Sequence, residues 1–160
     1  MKLKTPRGMN TRPTVDRVKE SLFNILNPYI PGCDVLDLFS GTGALAIEAL
    51  SRGANSAVIV EADKNTCLII KENLEHTHLM QKARICFKKV SAALKELGKD
   101  GQSFDIVFMD PPYLKNFIQE TLQLLVENDI IRKEGIVVME HHKNETVPDK
   151  IGSLEKVRCE

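Results

Sequence analysis

Short runs of almost unbroken apolar residues, DVLDLF (34–39), SAVIVE (56–61), FDIVFM (104–109) and GIVVME (135–140), recur along the chain with helix-length stretches between them. A strand that is apolar at nearly every position has no wet face, so it needs cover above and below, and alternating helices supply that cover. The weaker run ARICFK (83–88) reads as one more strand. Val15, Val18, Leu22, Ile25 and Leu26 fall at helical spacing, with Thr14 placed as the cap and Pro28 beyond the end. Further helices are expected over 44–52, 65–75, 91–97 and 117–127, and Leu154 to Cys159 could open a last strand. The pattern predicts a doubly wound α/β domain with a mostly parallel sheet. In such sheets ligands bind beyond the carboxyl ends of the strands, where the strand order reverses.

Composition agrees with a single domain: 160 residues, 42% hydrophobic and 28% charged, with no internal repeat or low-complexity segment. No apolar run has the length to span a bilayer, and the basic N-terminus lacks the apolar segment of a signal peptide. Cys33, Cys67, Cys86 and Cys159 are scattered without a CxxC pair, which argues against a disulfide framework or a zinc site and for a reduced, cytoplasmic protein. His76-x-His78 and His141-His142 read as solvated loop histidines, because no carboxylate or cysteine set accompanies them; no metal is expected.

The net charge is zero but unevenly placed. Residues 1–19 carry Lys2, Lys4, Arg7, Arg12, Arg17 and Lys19 against Asp16 alone, a net of +5, and the remainder carries −5. We divide the chain into a basic arm, 1–14, and a domain, 15–160. Such asymmetry suggests contact with a polyanion. Lys82, Arg84, Lys88 and Lys89 form either a second basic patch or an ordinary solvated edge.

Chemistry gathers at three strand ends. The first is Asp37-Leu38-Phe39-Ser40-Gly41-Thr42-Gly43-Ala44, whose glycines let the backbone turn tightly beside a ligand. The second is Glu61, twenty residues past Gly41 and well set to accept hydrogen bonds from ribose hydroxyls. Gly41, Gly43 and Ala46 also satisfy the relaxed dinucleotide fingerprint, so a nicotinamide enzyme stays in view. A pyrophosphate, however, would lie close to Asp37. S-adenosylmethionine brings a ribose, an ammonium and a sulfonium without a phosphate, and fits better.

The third end is Asp110-Pro111-Pro112-Tyr113. The residue before a proline is held out of the helical region, so the strand runs extended to Asp110. Pro111 and Pro112 have no N–H to compete for the Asp110 carboxylate or the Pro111 carbonyl. Two fixed acceptors suit one planar –NH2, and stabilise the positive charge that grows as its nitrogen attacks a methyl group. Tyr113 offers a face on which an extruded base can stack.

These motifs resemble a class I methyltransferase of the amino-methylating kind, with a Rossmann-like sheet. The stretch Thr11-Arg12-Pro13-Thr14-Val15-Asp16-Arg17-Val18-Lys19-Glu20-Ser21-Leu22-Phe23-Asn24-Ile25-Leu26, taken with residues 36–43 and 110–113, closely resembles the RsmD family. Those bacterial enzymes methylate N2 of a guanine in 16S ribosomal RNA. The resemblance implies that Asp37, Ser40, Gly41 and Gly43 line the methionine end of S-adenosylmethionine and Glu61 its ribose. Asp110 and Pro111 would hold the guanine amine beside the cofactor, with Pro112 and Tyr113 at the base. Arg12 and Thr14 would lie near the site, and Arg7, Arg12, Arg17 and Lys19 would face RNA phosphates. A monomer acting on 16S ribosomal RNA, within a small-subunit particle, is the expected assembly, and S-adenosylhomocysteine the by-product.

The chain departs from that family twice. Lys89 stands where an acid usually binds the adenine amine, which leaves Ser91 or backbone groups for that bond. The family's short strand before Leu3 and its last strand after Cys159 are both missing, which reads as trimmed or disordered ends and leaves Leu154 to Cys159 without its usual partner. Two other functions fit the residues less fully. A DNA adenine-N6 methyltransferase would use the same corner but would want a separate recognition domain. A non-catalytic RNA-binding module would keep the fold with weakened cofactor affinity.

Overall fold

The computed structural model describes residues 13–39, 41–109, 117–139, 150–151 and 154–155. Helix α1 (Pro13–Leu26) leads into β1 (Asp34–Leu38), α2 (Ala44–Ser51), β2 (Ser56–Glu61), α3 (Lys64–His76), β3 (Ala83–Phe87), α4 (Val90–Lys99), β4 (Phe104–Met109), α5 (Phe117–Glu127) and β5 (Ile131–Met139). The five strands form one sheet in the order β3-β2-β1-β4-β5, every pair parallel. The expected doubly wound α/β architecture is present, and the order reverses between β1 and β4.

Side-chain alternation along the strands divides the core in two. Val35, Ile59, Ile106 and Phe108 face α1, α2 and α3, where they meet Phe23, Ile47, Ile70 and Leu74. Leu36, Leu38, Val60, Val107 and Met109 face α4 and α5, against Leu94, Leu97, Leu122 and Leu125. At ~25 cal/mol per Å² of apolar surface buried, these two layers are the main favourable contribution to folding. Burial of both faces explains why the strands are apolar at consecutive positions.

Four expectations need correction. Helix α1 begins at Pro13, so Thr14 lies inside its first turn and is not its cap; proline suits that first position because its missing N–H has no partner there anyway. Strand β1 stops at Leu38, because Phe39 takes a left-handed φ of 57°. Strand β5 starts at Ile131 and not at Gly135. Its register against β4 shifts, Phe104 facing Ile131 while Ile106 faces Ile136, with Glu134 at φ 65°. A Cβ on Gly135 would sit 2.7 Å from Ile131 Cγ2 and 2.8 Å from the Arg132 carbonyl, so only glycine fits this tight bulge. Leu154–Glu155 pairs antiparallel with Lys150–Ile151, the partner that the sequence reading did not find.

Helices α1 and α2 run side by side. Arg52 at the end of α2 lies over the Phe23 ring at 5.1 Å from its centroid and donates to Asn27 Oδ1 at 2.9 Å. Phe23 in turn meets Phe108 of β4, ring centroids 5.8 Å apart. Because α2 starts at the carboxyl edge of the sheet, the N-terminal end of α1 points to that same edge.

A candidate active site at the carboxyl ends of β1 and β2

Asp37 stands one residue before the end of β1, and Glu61 ends β2. Strand alternation places both on the face covered by α1, α2 and α3, two residues beyond Val35 and Ile59 respectively. Asp37 is only 2% exposed, and its Oδ2 accepts from the Ala46 amide at 3.3 Å. A buried carboxylate is tolerable only where hydrogen bonds or an opposite charge hold it.

The connecting loop is turned by left-handed residues: Phe39 at φ 57°, Gly41 at 62° and Gly43 at 78°. For Phe39 such backbone costs about 1–2 kcal/mol. Gly43 begins α2, its carbonyl accepting from the Ile47 amide at 2.9 Å. A Cβ on Gly43 would stand 3.2 Å from Ile70 Cγ2 of α3, whereas a Cβ on Gly41 would meet nothing within 4 Å. The loop is therefore packed on its α3 side and open at Gly41, where a side chain would project into free space.

Glu61 organises this opening. Its Oε2 accepts from the Asp63 amide at 2.9 Å and its Oε1 from the Gly41 amide at a longer 3.4 Å. Each oxygen keeps acceptor capacity for a further donor. Its carbonyl accepts from the Lys88 amide at 3.2 Å and from Cys67 Sγ at 3.4 Å, tying β2 to the end of β3 and to α3. Burial pushes the Cys67 thiol up, and the charges of Glu61 and Asp63 push the same way. Asp63 caps α3 through Thr66, whose hydroxyl at 2.7 Å and amide at 2.9 Å hold that carboxyl below its usual value.

Asn73 is the residue that sequence reading missed. It is 2% exposed, and its Nδ2 donates to the Thr42 carbonyl at 3.1 Å, in the middle of the glycine loop. Its signal was a polar residue beside Ile70 and Leu74, on the buried side of an amphipathic helix.

Of the site residues expected from sequence, Asp37, Gly41, Gly43 and Glu61 lie together at the carboxyl ends of the neighbouring strands β1 and β2. Lys19 lies on α1 with its Nζ 4.0 Å from Glu48 Oε1 of α2. Thr14 and Arg17 belong to the α1 backbone, their side chains outside the described residues; Arg7, Arg12, Ser40, Asp110, Pro111, Pro112 and Tyr113 also lie outside them. Strand β4 ends at Met109, paired with Leu38 and Met139, so it leads into 110–113 from the same carboxyl edge. Lys89 is exposed at the head of α4, extended at φ −66° and ψ 149°.

Two carboxylates on one face, with an open glycine turn between them, suit a ligand carrying an amine and a diol. They disfavour a pyrophosphate, which would stand against both acids. Among the described residues no group of three or more histidine, cysteine or acidic side chains converges as a metal site, and no helix is long and apolar enough to cross a membrane.

The family model described as "Conserved hypothetical protein 95" matches residues 1–160. The chain is 37% identical over 158 residues to "Putative rRNA methyltransferase YlbH" of Bacillus subtilis, covering 99% of this chain and 86% of that protein. It is also 37% identical over 147 residues to Ribosomal RNA small subunit methyltransferase D of Escherichia coli K12, covering 92% and 72%. Among solved structures, "Putative methyltransferase yhhF from Escherichia coli" superposes with a TM-score of 0.80 at 36% identity, over 98% of this chain and 85% of that one.

Proposed function

The chain belongs to the RsmD family of ribosomal RNA methyltransferases that draw on S-adenosylmethionine, and on that footing we propose that its acceptor is the exocyclic N2 amine of a guanine in 16S ribosomal RNA. The observation that carries the cofactor half of the reading is that Asp37 and Glu61 both stand on one sheet face, at the ends of neighbouring strands, with the turn at Gly41 open beside them.

S-adenosylmethionine, when bound, supplies a methyl group on a sulfonium sulfur. The chain's own residues do the rest by holding and orienting. Asp37 would attract the cofactor's ammonium, the bare Gly41 backbone would let it approach, and Glu61 would accept from the ribose hydroxyls. Asp110 and the Pro111 carbonyl would each accept an N–H of the guanine amine, keeping the nitrogen lone pair toward the methyl. As its N–C bond forms and the methyl–sulfur bond breaks, with S-adenosylhomocysteine leaving, the amine would give up one proton toward the Asp110 carboxylate. Tyr113 and Pro112 would steady the base. A hydrogen bond to an ionised group contributes about 1.5–3 kcal/mol, so positioning must supply much of the rate. The arm, with Arg7 and Arg12, and helix α1, with Thr14, Arg17 and Lys19, would bring RNA phosphates to the carboxyl edge.

The test is transfer of labelled methyl from S-adenosylmethionine to small ribosomal subunits lacking the modification, with naked 16S ribosomal RNA and duplex DNA alongside. The products are digested to nucleosides. Label in N2-methylguanosine is expected. Label in N6-methyladenine from DNA would replace this reading with the DNA one, and RNA binding without cofactor binding would make the chain a binding module.

A further inference from the structure

Phe87 ends the edge strand β3, and its side chain is 56% exposed. Its register partner is Glu61, and alternation puts it on the same face as Ala83 and Ile85, which pack toward α3. Leu68 of α3 is also exposed, at 52%. The sequence around Phe87 is basic, although Glu61 and Glu96 stand beside this strand. Residues 76–95 hold five basic side chains and no acidic one, in a chain whose residues 20–160 carry −5. Glu96 engages Arg84 at 3.6 Å and also pairs with Lys88. Lys89, two residues past Phe87, makes no ion pair among the described residues.

An exposed aromatic ring next to an uncommitted lysine has the chemistry to hold single-stranded nucleic acid, the ring stacking on a base and the ammonium meeting phosphate. Metabolites and acidic peptides need less: neither calls for a flat, solvent-facing ring at a sheet edge. The distance also suits RNA. Phe87 is three strands from β4, where residues 110–113 follow, and strands lie ~4.8 Å apart, so the two ends are roughly 14 Å apart. A nucleotide chain whose target base enters at β4 could span that distance along the carboxyl edge.

We propose that the carboxyl end of β3 is a second RNA-contact surface, with Phe87 as a stacking face for an unpaired base near the target guanine and Lys89 as a phosphate contact. It rests on the reading of ribosomal RNA as substrate. On this view Lys89 acts toward the substrate, where the family's usual acid would act toward adenine.

The test compares Phe87→Ala, Phe87→Leu, Phe87→Tyr and Lys89→Gln with the unaltered chain. Affinity for naked 16S ribosomal RNA, methyl transfer to small subunits, and affinity for S-adenosylhomocysteine are each measured, with thermal melting to confirm folding. Phe87→Ala and Phe87→Leu should both weaken RNA binding about 10-fold, Phe87→Tyr should keep it, and cofactor affinity should not move. Lys89→Gln should weaken RNA binding and shallow its salt dependence by about 0.7 in the log–log slope. Unchanged RNA binding in Phe87→Ala would overturn the proposal, as would equal binding by the Leu and Tyr variants. So would weakened cofactor binding, which would place Phe87 at the adenine. Loss of transfer to subunits with naked-RNA binding intact would assign the patch to a ribosomal protein instead. If the unaltered chain binds the cofactor but neither binds nor methylates ribosomal RNA, the substrate reading falls and this proposal with it.

Discussion

Asn73 and Thr42 stand 31 residues apart in the chain, yet the Asn73 Nδ2 donates to the Thr42 carbonyl at 3.1 Å. Helix α3 thereby holds the middle of the glycine loop from behind. Asn73→Ala should lower thermal stability and weaken S-adenosylhomocysteine binding about 10-fold, since leaving the partly buried Thr42 carbonyl unpaired costs about 1–3 kcal/mol. Asn73→Asp is the sharper test: similar in size, it sets an acceptor against an acceptor and should be no milder than Ala. Cofactor affinity unchanged in both variants would mean that the bond matters to folding alone.

The two loop glycines should fail differently. Gly41→Ala places a left-handed alanine, costing about 1–2 kcal/mol, with nothing in its way but the ligand. Gly43→Ala adds to the same backbone strain a Cβ 3.2 Å from Ile70 Cγ2. We expect the larger fall in melting temperature for Gly43→Ala. Gly41→Ala should show the larger loss of cofactor affinity relative to its loss of stability. Calorimetry on both variants, scanning and titration, decides it.

Glu61→Gln keeps the shape but turns one acceptor into a donor. Either the Asp63 amide or the Gly41 amide must then lose its partner. Binding of S-adenosylhomocysteine should weaken about 10-fold or more, with the fold retained by circular dichroism. An unchanged dissociation constant would remove Glu61 from the ribose site.

Asp110→Ala should leave cofactor affinity near its original value while cutting turnover by about 100-fold or more, if its carboxylate serves the acceptor amine as proposed. Single-turnover transfer, measured with a cofactor titration, separates the two. Cofactor binding lost with turnover would make the residue structural.

At the opposite edge of the sheet, Arg132 Nη1 lies 2.8 Å from both Asp34 Oδ2 and Asp105 Oδ2. Burial alone would raise the Asp34 carboxyl, but bonds from Ser56, Asn55 and Arg132 outweigh it and hold it below its usual 3.8. A depressed folded value means stability that is present above the unfolded value and lost as pH falls through the folded one. Exposure screens the contribution to about 1 kcal/mol or less. The melting temperature should therefore drop below about pH 4, and Asp34→Asn should flatten that part of the curve. An identical acid profile for the variant would show that other carboxylates set it.

Local pattern made much of the fold legible. Strands β2 and β4 and helix α5 keep the bounds read from sequence, because each is a compact apolar run with clear punctuation. Strand β5 was harder. Arg132, Lys133 and Glu134 look like loop, and only the fold shows that Arg132 reaches across to Asp34 and Asp105 and that the bulge needs Gly135. At the candidate site, the placement of Asp37, Gly41, Gly43 and Glu61 at strand ends and in the turn was legible because strand ends and glycines punctuate sequence. Asn73 was not, since its partner is a backbone carbonyl that no residue type advertises. Glu61's bonds to Gly41 and Asp63 were hidden for the same reason.

Arg52 has a consequence beyond packing. It grips Phe23 and Asn27 from the end of α2, while Lys19 reaches Glu48 one turn earlier. In the chain the basic arm precedes α1 and the glycine turn precedes α2, so these contacts join the helix that follows the arm to the helix that follows the loop. Their consequence is positional: they set where α1 begins relative to the turn at Gly41.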